Sequence, residues 1–135
     1  MSGFRWIVTP LCILWASPGT LLGLTIGLAS IPWRGRMQRV GRVLEFWGPP
    51  IALVLRRLPP LRGAAAVTFG HVVLGRSLAD LNCTRAHELV HVRQYERWGP
   101  FFIPAYLLCW LVLRIRGRDG YWDNPFERQA YEEAP

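Results

Sequence analysis

Long apolar runs alternate along this chain with short breaks rich in arginine, glycine or proline, and that alternation sets the elements it predicts. Trp6 to Trp33 is a run of 28 positions without a charged side chain, dominated by Leu, Ile, Val, Ala and Gly. About 20 such residues suffice to cross a bilayer, so residues 1–33 are expected to be membrane-embedded. Pro18-Gly19 interrupts the run, which is read either as one kinked span or as a packing helix. Gly19, Gly23 and Gly27 recur every four residues on one helical face, open to close packing within the chain or to a homo-oligomer. Val40, Val43, Leu44 and Trp47 follow at helical spacing with arginines between them, predicting an amphipathic surface helix over 37–47. Gly48-Pro49-Pro50 ends it, and a second short apolar piece, Ile51 to Leu58, runs into Arg56, Arg57 and Pro59-Pro60. Residues 34–62 thus read as a basic juxtamembrane region.

Residues 63–135 have a different texture. Ala64 to Leu74 gains β-branched and aromatic residues toward its end and is bounded by Gly63 and Gly75, which predicts one strand. Thr84 is placed to cap a helix running to Trp98, where Gly99-Pro100 supplies a stop. Phe101 to Leu113 is apolar but only 13 residues long and broken by Pro104, so a buried or re-entrant piece is expected rather than a span. Asp123-Asn124-Pro125 then begins a last helix through Tyr131. The implied fold is a mainly α, membrane-associated protein with a short β element.

Charge refines the placement. The formal charge is +7, every one of the 16 basic residues is Arg, and Arg34, Arg36, Arg39, Arg42, Arg56, Arg57 and Arg62 cluster just after the first apolar run. Arginine beside a membrane segment marks the cytoplasmic side, so the chain after Trp33 is expected there, on an inner or cytoplasmic membrane. The same arginines would attract phosphate, but they abut a membrane segment with little interleaved polar chemistry, so nucleic acid is not expected as a partner. Cys12, Cys83 and Cys109 form no CxxC pair and, being odd in number, no disulfide framework, which fits a reducing compartment. A competing reading of the opening is a signal peptide with Arg5 as its charged end and Leu28-Ala29-Ser30 at the cleavage site, although the apolar run is long for one.

One segment carries chemistry. In His87-Glu88-Leu89-Val90-His91 the two histidines stand four apart, on one helical face, where both imidazoles can reach a single ion. Glu88 lies one step around, placed to take a proton from a water on the metal rather than to bind the metal itself. Gln94, three residues after His91, shares that face and is a candidate outer partner of a ligand. Cys83, one turn before His87, is a further candidate donor.

His87 to His91 resembles the HExxH signature of the zincin metallopeptidases, and Asn124-Pro125-Phe126-Glu127-Arg128-Gln129-Ala130-Tyr131 resembles the glutamate-bearing helix of their gluzincin branch. The resemblance, which spans Ala64 to Tyr131, implies a minimal zincin-like α+β domain binding Zn2+ through His87, His91 and Glu127, with Glu88 as general base and a peptide or protein as substrate. Asp123 and His71 are rival third ligands or outer partners, and His71 on the strand is also read as steadying an oxyanion or as an ordinary hydrogen-bonded histidine. The alternative is a non-enzymatic membrane interaction protein with a structural or vestigial metal site, since the chain is short for a zincin catalytic domain.

Overall fold

The computed structural model describes residues 10–57 and 63–134, so Arg5, Arg62, the break at Pro59-Pro60 and the start of the first apolar run lie outside the described residues. The elements are α1 (Ser17–Ser30), β1 (Arg36–Val40), β2 (Val43–Trp47), α2 (Pro49–Arg57), β3 (Ala66–Phe69), β4 (Val72–Gly75), α3 (Leu78–Trp98), α4 (Phe102–Ile115) and α5 (Pro125–Glu133). The fold is mainly helical around one four-stranded sheet of order β1-β2-β4-β3.

That sheet corrects two expectations. Residues 37–47 form not a surface helix but the hairpin β1–β2, closed by the two-residue turn Gly41-Arg42. Gly41 sits at φ +60°, a backbone that halts a helix and matches the right-handed twist of paired strands. The spacing of Val40, Val43, Leu44 and Trp47 suited a helix because β2 is covered on both faces and shows no simple alternation. Residues 64–74 are likewise two strands rather than one, with Gly70-His71 as a second turn of the same kind and Gly70 at φ +62°. The hairpins lie side by side, β2 parallel to β4, so both turns emerge at one end and the sheet joins strands from either side of residue 62.

Each sheet face has its own cover. Val43, Ala66 and Val73 pack against Leu81 and Val92 of α3, while Phe46, Val72 and Leu74 pack against Ile51 and Leu55 of α2 and Leu24 and Ile26 of α1. Each fully buried side chain of this size contributes roughly 1.5–3 kcal/mol. The face of α1 that carries Gly19, Gly23 and Gly27 is spent here, inside the chain. A Cβ on Gly27 would stand 2.6 Å from the Phe46 ring, and one on Gly23 would stand 2.8 Å from Val72, so only glycine lets this helix lie so close to the sheet. The opposite face of α1 exposes Leu21, Leu22 and Leu28.

Two further expectations shift. The N-cap of α3 lies seven residues before Thr84: it is Ser77, accepting the Asp80 N–H on its side chain, and the Thr84 hydroxyl bonds back to the Asp80 carbonyl within the helix. Gly99, at φ +56° against Trp15, ends it. The apolar segment after it is helical but not buried, since Phe102 alone is enclosed while Leu107, Leu108, Leu111, Val112 and Ile115 are exposed. The helical run Leu78–Ile115, 38 residues, is long and apolar enough by length and composition to cross a membrane, with 11% of its most apolar stretch buried.

Candidate metal centre

Two helices supply the site. His87 and His91 share one face of α3, and Glu127 comes from the first turn of α5, which Asn124 caps by accepting the Phe126 N–H. Pro125 at the first helical position supplies the preset backbone angle there. His87 Nε2 lies 3.0 Å and His91 Nε2 3.1 Å from Glu127 Oε2, and the two imidazole nitrogens are 3.2 Å apart. The three residues form a group whose donor atoms could hold one ion.

A chain of amides fixes His91. The Glu133 carboxylate accepts from Gln129 Nε2, Gln129 Oε1 accepts from Gln94 Nε2, and Gln94 Oε1 lies 2.8 Å from His91 Nδ1. The Phe126 carbonyl also accepts from Gln94 Nε2. Because a carboxylate and a carbonyl can only accept, every amide in the series has one orientation, so His91 Nδ1 must carry a proton. Its Nε2 is thereby the atom turned to the cluster. Without an ion, burial pulls the His91 imidazolium down, but the hydrogen bond and charge of Glu127 outweigh it and hold the group up at about 9. Burial would raise Glu127 in turn, yet its bonds from His87 and His91 bring it to about 2. Ligation through His91 Nε2 requires that nitrogen to give up its proton, so protons and a cation compete for it.

Glu127 has a second partner. Tyr106, from the apolar helix α4, donates its hydroxyl to Oε1 at 2.9 Å and leaves Oε2 to the histidines. Glu88 is buried beside the cluster, its Oε2 accepting from Thr68 Oγ1 at 2.6 Å. Burial pushes its carboxyl upward, more than the neighbouring His91 charge and the Thr68 bond pull it down. Thr68 and Tyr106 carried no signal in the sequence, since one lies within a strand and the other within an apolar run.

The remaining candidates are elsewhere. His71 sits at the β3–β4 turn, where its Nε2 meets Glu96 Oε1 at 2.9 Å and its backbone N–H bonds Thr20 of α1. Arg42, at the other hairpin's turn, reaches the same Glu96 oxygen at 2.6 Å. His71 is therefore a clamp on the turns and not part of the cluster. Asp123 accepts from Arg118 and from the Asp119 N–H, closing the loop before α5, and it too lies outside the cluster. Cys83 is exposed and outside the group of His87, His91 and Glu127. Tyr131 packs against His87 with ring centroids 4.5 Å apart and planes tilted by 55°, and its hydroxyl meets that of Tyr121.

A cleft of about 230 Å³ opens onto Glu88, His87, His91 and Glu127 between β3 and α4. No family model, curated protein or solved structure matches this chain significantly.

Proposed function

We propose that this protein is a zinc-dependent peptide hydrolase that works at a membrane surface. The observation that carries the reading is the meeting of His87 Nε2, His91 Nε2 and Glu127 Oε2 at 3.0 to 3.2 Å with the Glu88 carboxylate buried beside them in an open cleft. The donor set fits the ion. Two imidazoles and one carboxylate are a common catalytic zinc set, and bonds of about 2.0–2.1 Å in tetrahedral array imply donor separations of about 3.3 Å. Three donors facing a cleft, rather than four closing a shell, favour catalysis over a structural role.

When bound, zinc supplies Lewis acidity that polarises a carbonyl and makes water acidic near neutral pH. The chain's own residues do the rest. Glu88, with Thr68 holding one oxygen, takes the proton of the attacking water and returns it to the leaving amine. Gln94 and Tyr106 keep His91 and Glu127 aimed, and Phe102 and Ile103 line the cleft and exclude bulk water.

The exposed apolar faces of α1 and α4 support membrane association. The chain returns after α4 to bond Asn124 Nδ2 to the Tyr106 carbonyl, so both ends of that helix serve one site and association along the surface fits better than a crossing. The arginine cluster supports the cytoplasmic side for that surface. Elemental analysis of protein purified in detergent tests the centre: wild type and Glu88→Gln should each hold about one zinc and His91→Ala none. Metal-free wild type that takes up no added zinc would sink the reading.

A further inference from the structure

The cleft has two unlike halves that meet at the cluster. On the α4 side, Val67, Phe69, Phe102, Ile103 and Leu107 wall it, and the exposed Leu108, Leu111 and Ile115 continue that apolar surface outward along the helix. On the other side a second cavity, about 520 Å³, is lined by Thr84, Asp119, Tyr121 and Trp122 with small residues of 63–66 as its floor. Ala64, Ala66, His87, Glu88 and Tyr121 border both halves, so the junction of apolar and polar walls coincides with the place where a bond would be cut.

Strand β3 runs through that junction as a free edge. Its turn makes Phe69–Val72 the closing hydrogen-bonded pair, and the Arg76 N–H donates to the Ala65 carbonyl at 3.1 Å. Alternation then commits residues 65, 67 and 69 to β4 and turns the backbone groups of Ala66 and Thr68 outward, along the cleft. No backbone partner meets them among the described residues. An edge of this kind pairs with an extended main chain and sets its side chains alternately toward the walls.

Building on the peptidase reading, we propose that the substrate is an extended polypeptide segment that changes from apolar to polar across the cleaved bond. Such a segment is found where a membrane-spanning helix emerges into water. Its apolar part lies between β3 and α4, reached along the exposed face of α4, and its polar part lies toward Thr84 and Asp119. A uniformly polar chain would leave the α4 wall unfilled, and a uniformly apolar one would bury nothing on the opposite side.

The test uses two peptides of identical composition in detergent micelles, one with apolar and polar residues in two blocks and one with them interleaved. Binding is read by fluorescence anisotropy on the zinc-loaded Glu88→Gln chain, and cleavage by mass spectrometry on wild type. The block peptide should bind at least about tenfold tighter than the interleaved one and be cut at the block boundary. Leu107→Asp in the cleft wall should abolish the preference, while Leu53→Asp, on the exposed side of α2 and outside both halves of the cleft, should keep it, with zinc content verifying that both variants fold. Equal binding and equal cutting of the two peptides overturns the substrate class and leaves the peptidase reading intact. Preferential binding of the block peptide without cleavage upholds the segment preference and overturns the peptidase reading. Absence of both binding and cleavage overturns the two together.

Discussion

Two histidine–carboxylate clusters lie on the same long helix, and only one is built like a metal centre. Near its C-terminal end Glu96 receives His71 at 2.9 Å and Arg42 at 2.6 Å; at mid-helix His87 and His91 meet Glu127 of α5 at 3.0 Å and 3.1 Å. The contact lengths are alike, but the chemistry differs. Arg42 carries a permanent positive charge and donors only, so Glu96 already has its cation and the unit closes as a clamp on two turns. Around Glu127 the partners are two imidazoles, which can each offer a lone pair, and an amide chain fixes which nitrogen of His91 does so. Distance alone does not distinguish a metal site from a structural ion pair; the identity and orientation of the third group do.

The comparison can be broken in order of expected effect. Removing the carboxylate of each cluster is the sharpest test: Glu127→Gln should weaken zinc binding by more than about 100-fold, whereas Glu96→Gln should leave zinc affinity unchanged, both read by competition with a fluorescent chelator. Loss of zinc affinity in Glu96→Gln to the same degree would make the two clusters one unit. Gln94→Leu removes the acceptor that orients His91 without touching a proposed ligand, and it should cost about 10–100-fold in zinc affinity by the same titration. At the clamp, Glu96→Gln should lower stability by about 1–3 kcal/mol in denaturant unfolding, because it leaves the buried His71 without its charged partner. Arg42→Ala should show the smallest effect, about 0–1 kcal/mol, since nearly half of that side chain is exposed to screening water.

Legibility followed the range of the interaction. The four-residue spacing of His87 and His91 is a local property of a helix, and the stop at Gly99 follows from one residue's backbone, so both are readable along the chain. The Gly41-Arg42 and Gly70-His71 turns were just as local, yet a helical reading of 37–47 hid the first. A strand covered on both faces loses the period of two that would have shown it. Ser77 capped α3 in place of Thr84, both residues being competent and the choice resting on where the sheet delivers the chain. Of the two readings of the apolar segment after Gly99, buried or re-entrant, the exposed leucines of α4 leave no room for the first, because apolar composition does not say whether protein or something else is to cover a helix.

By itself the sequence determined the helical pair of histidines with a glutamate between them, the glycine face of α1, the arginine-rich charge and the run of residues apolar enough to meet a membrane. Each of these depends on neighbours within about one or two turns, where backbone geometry alone sets who faces whom. Only the tertiary structure decided that the glycine face is spent against Phe46 and Val72, that Thr68 and Tyr106 hold the two carboxylates, and that Glu127 and not His71 or Asp123 stands at the histidines. Those meetings join residues some 20 to 50 positions apart, and they exist because the two hairpins and the return of the chain past α4 close one core.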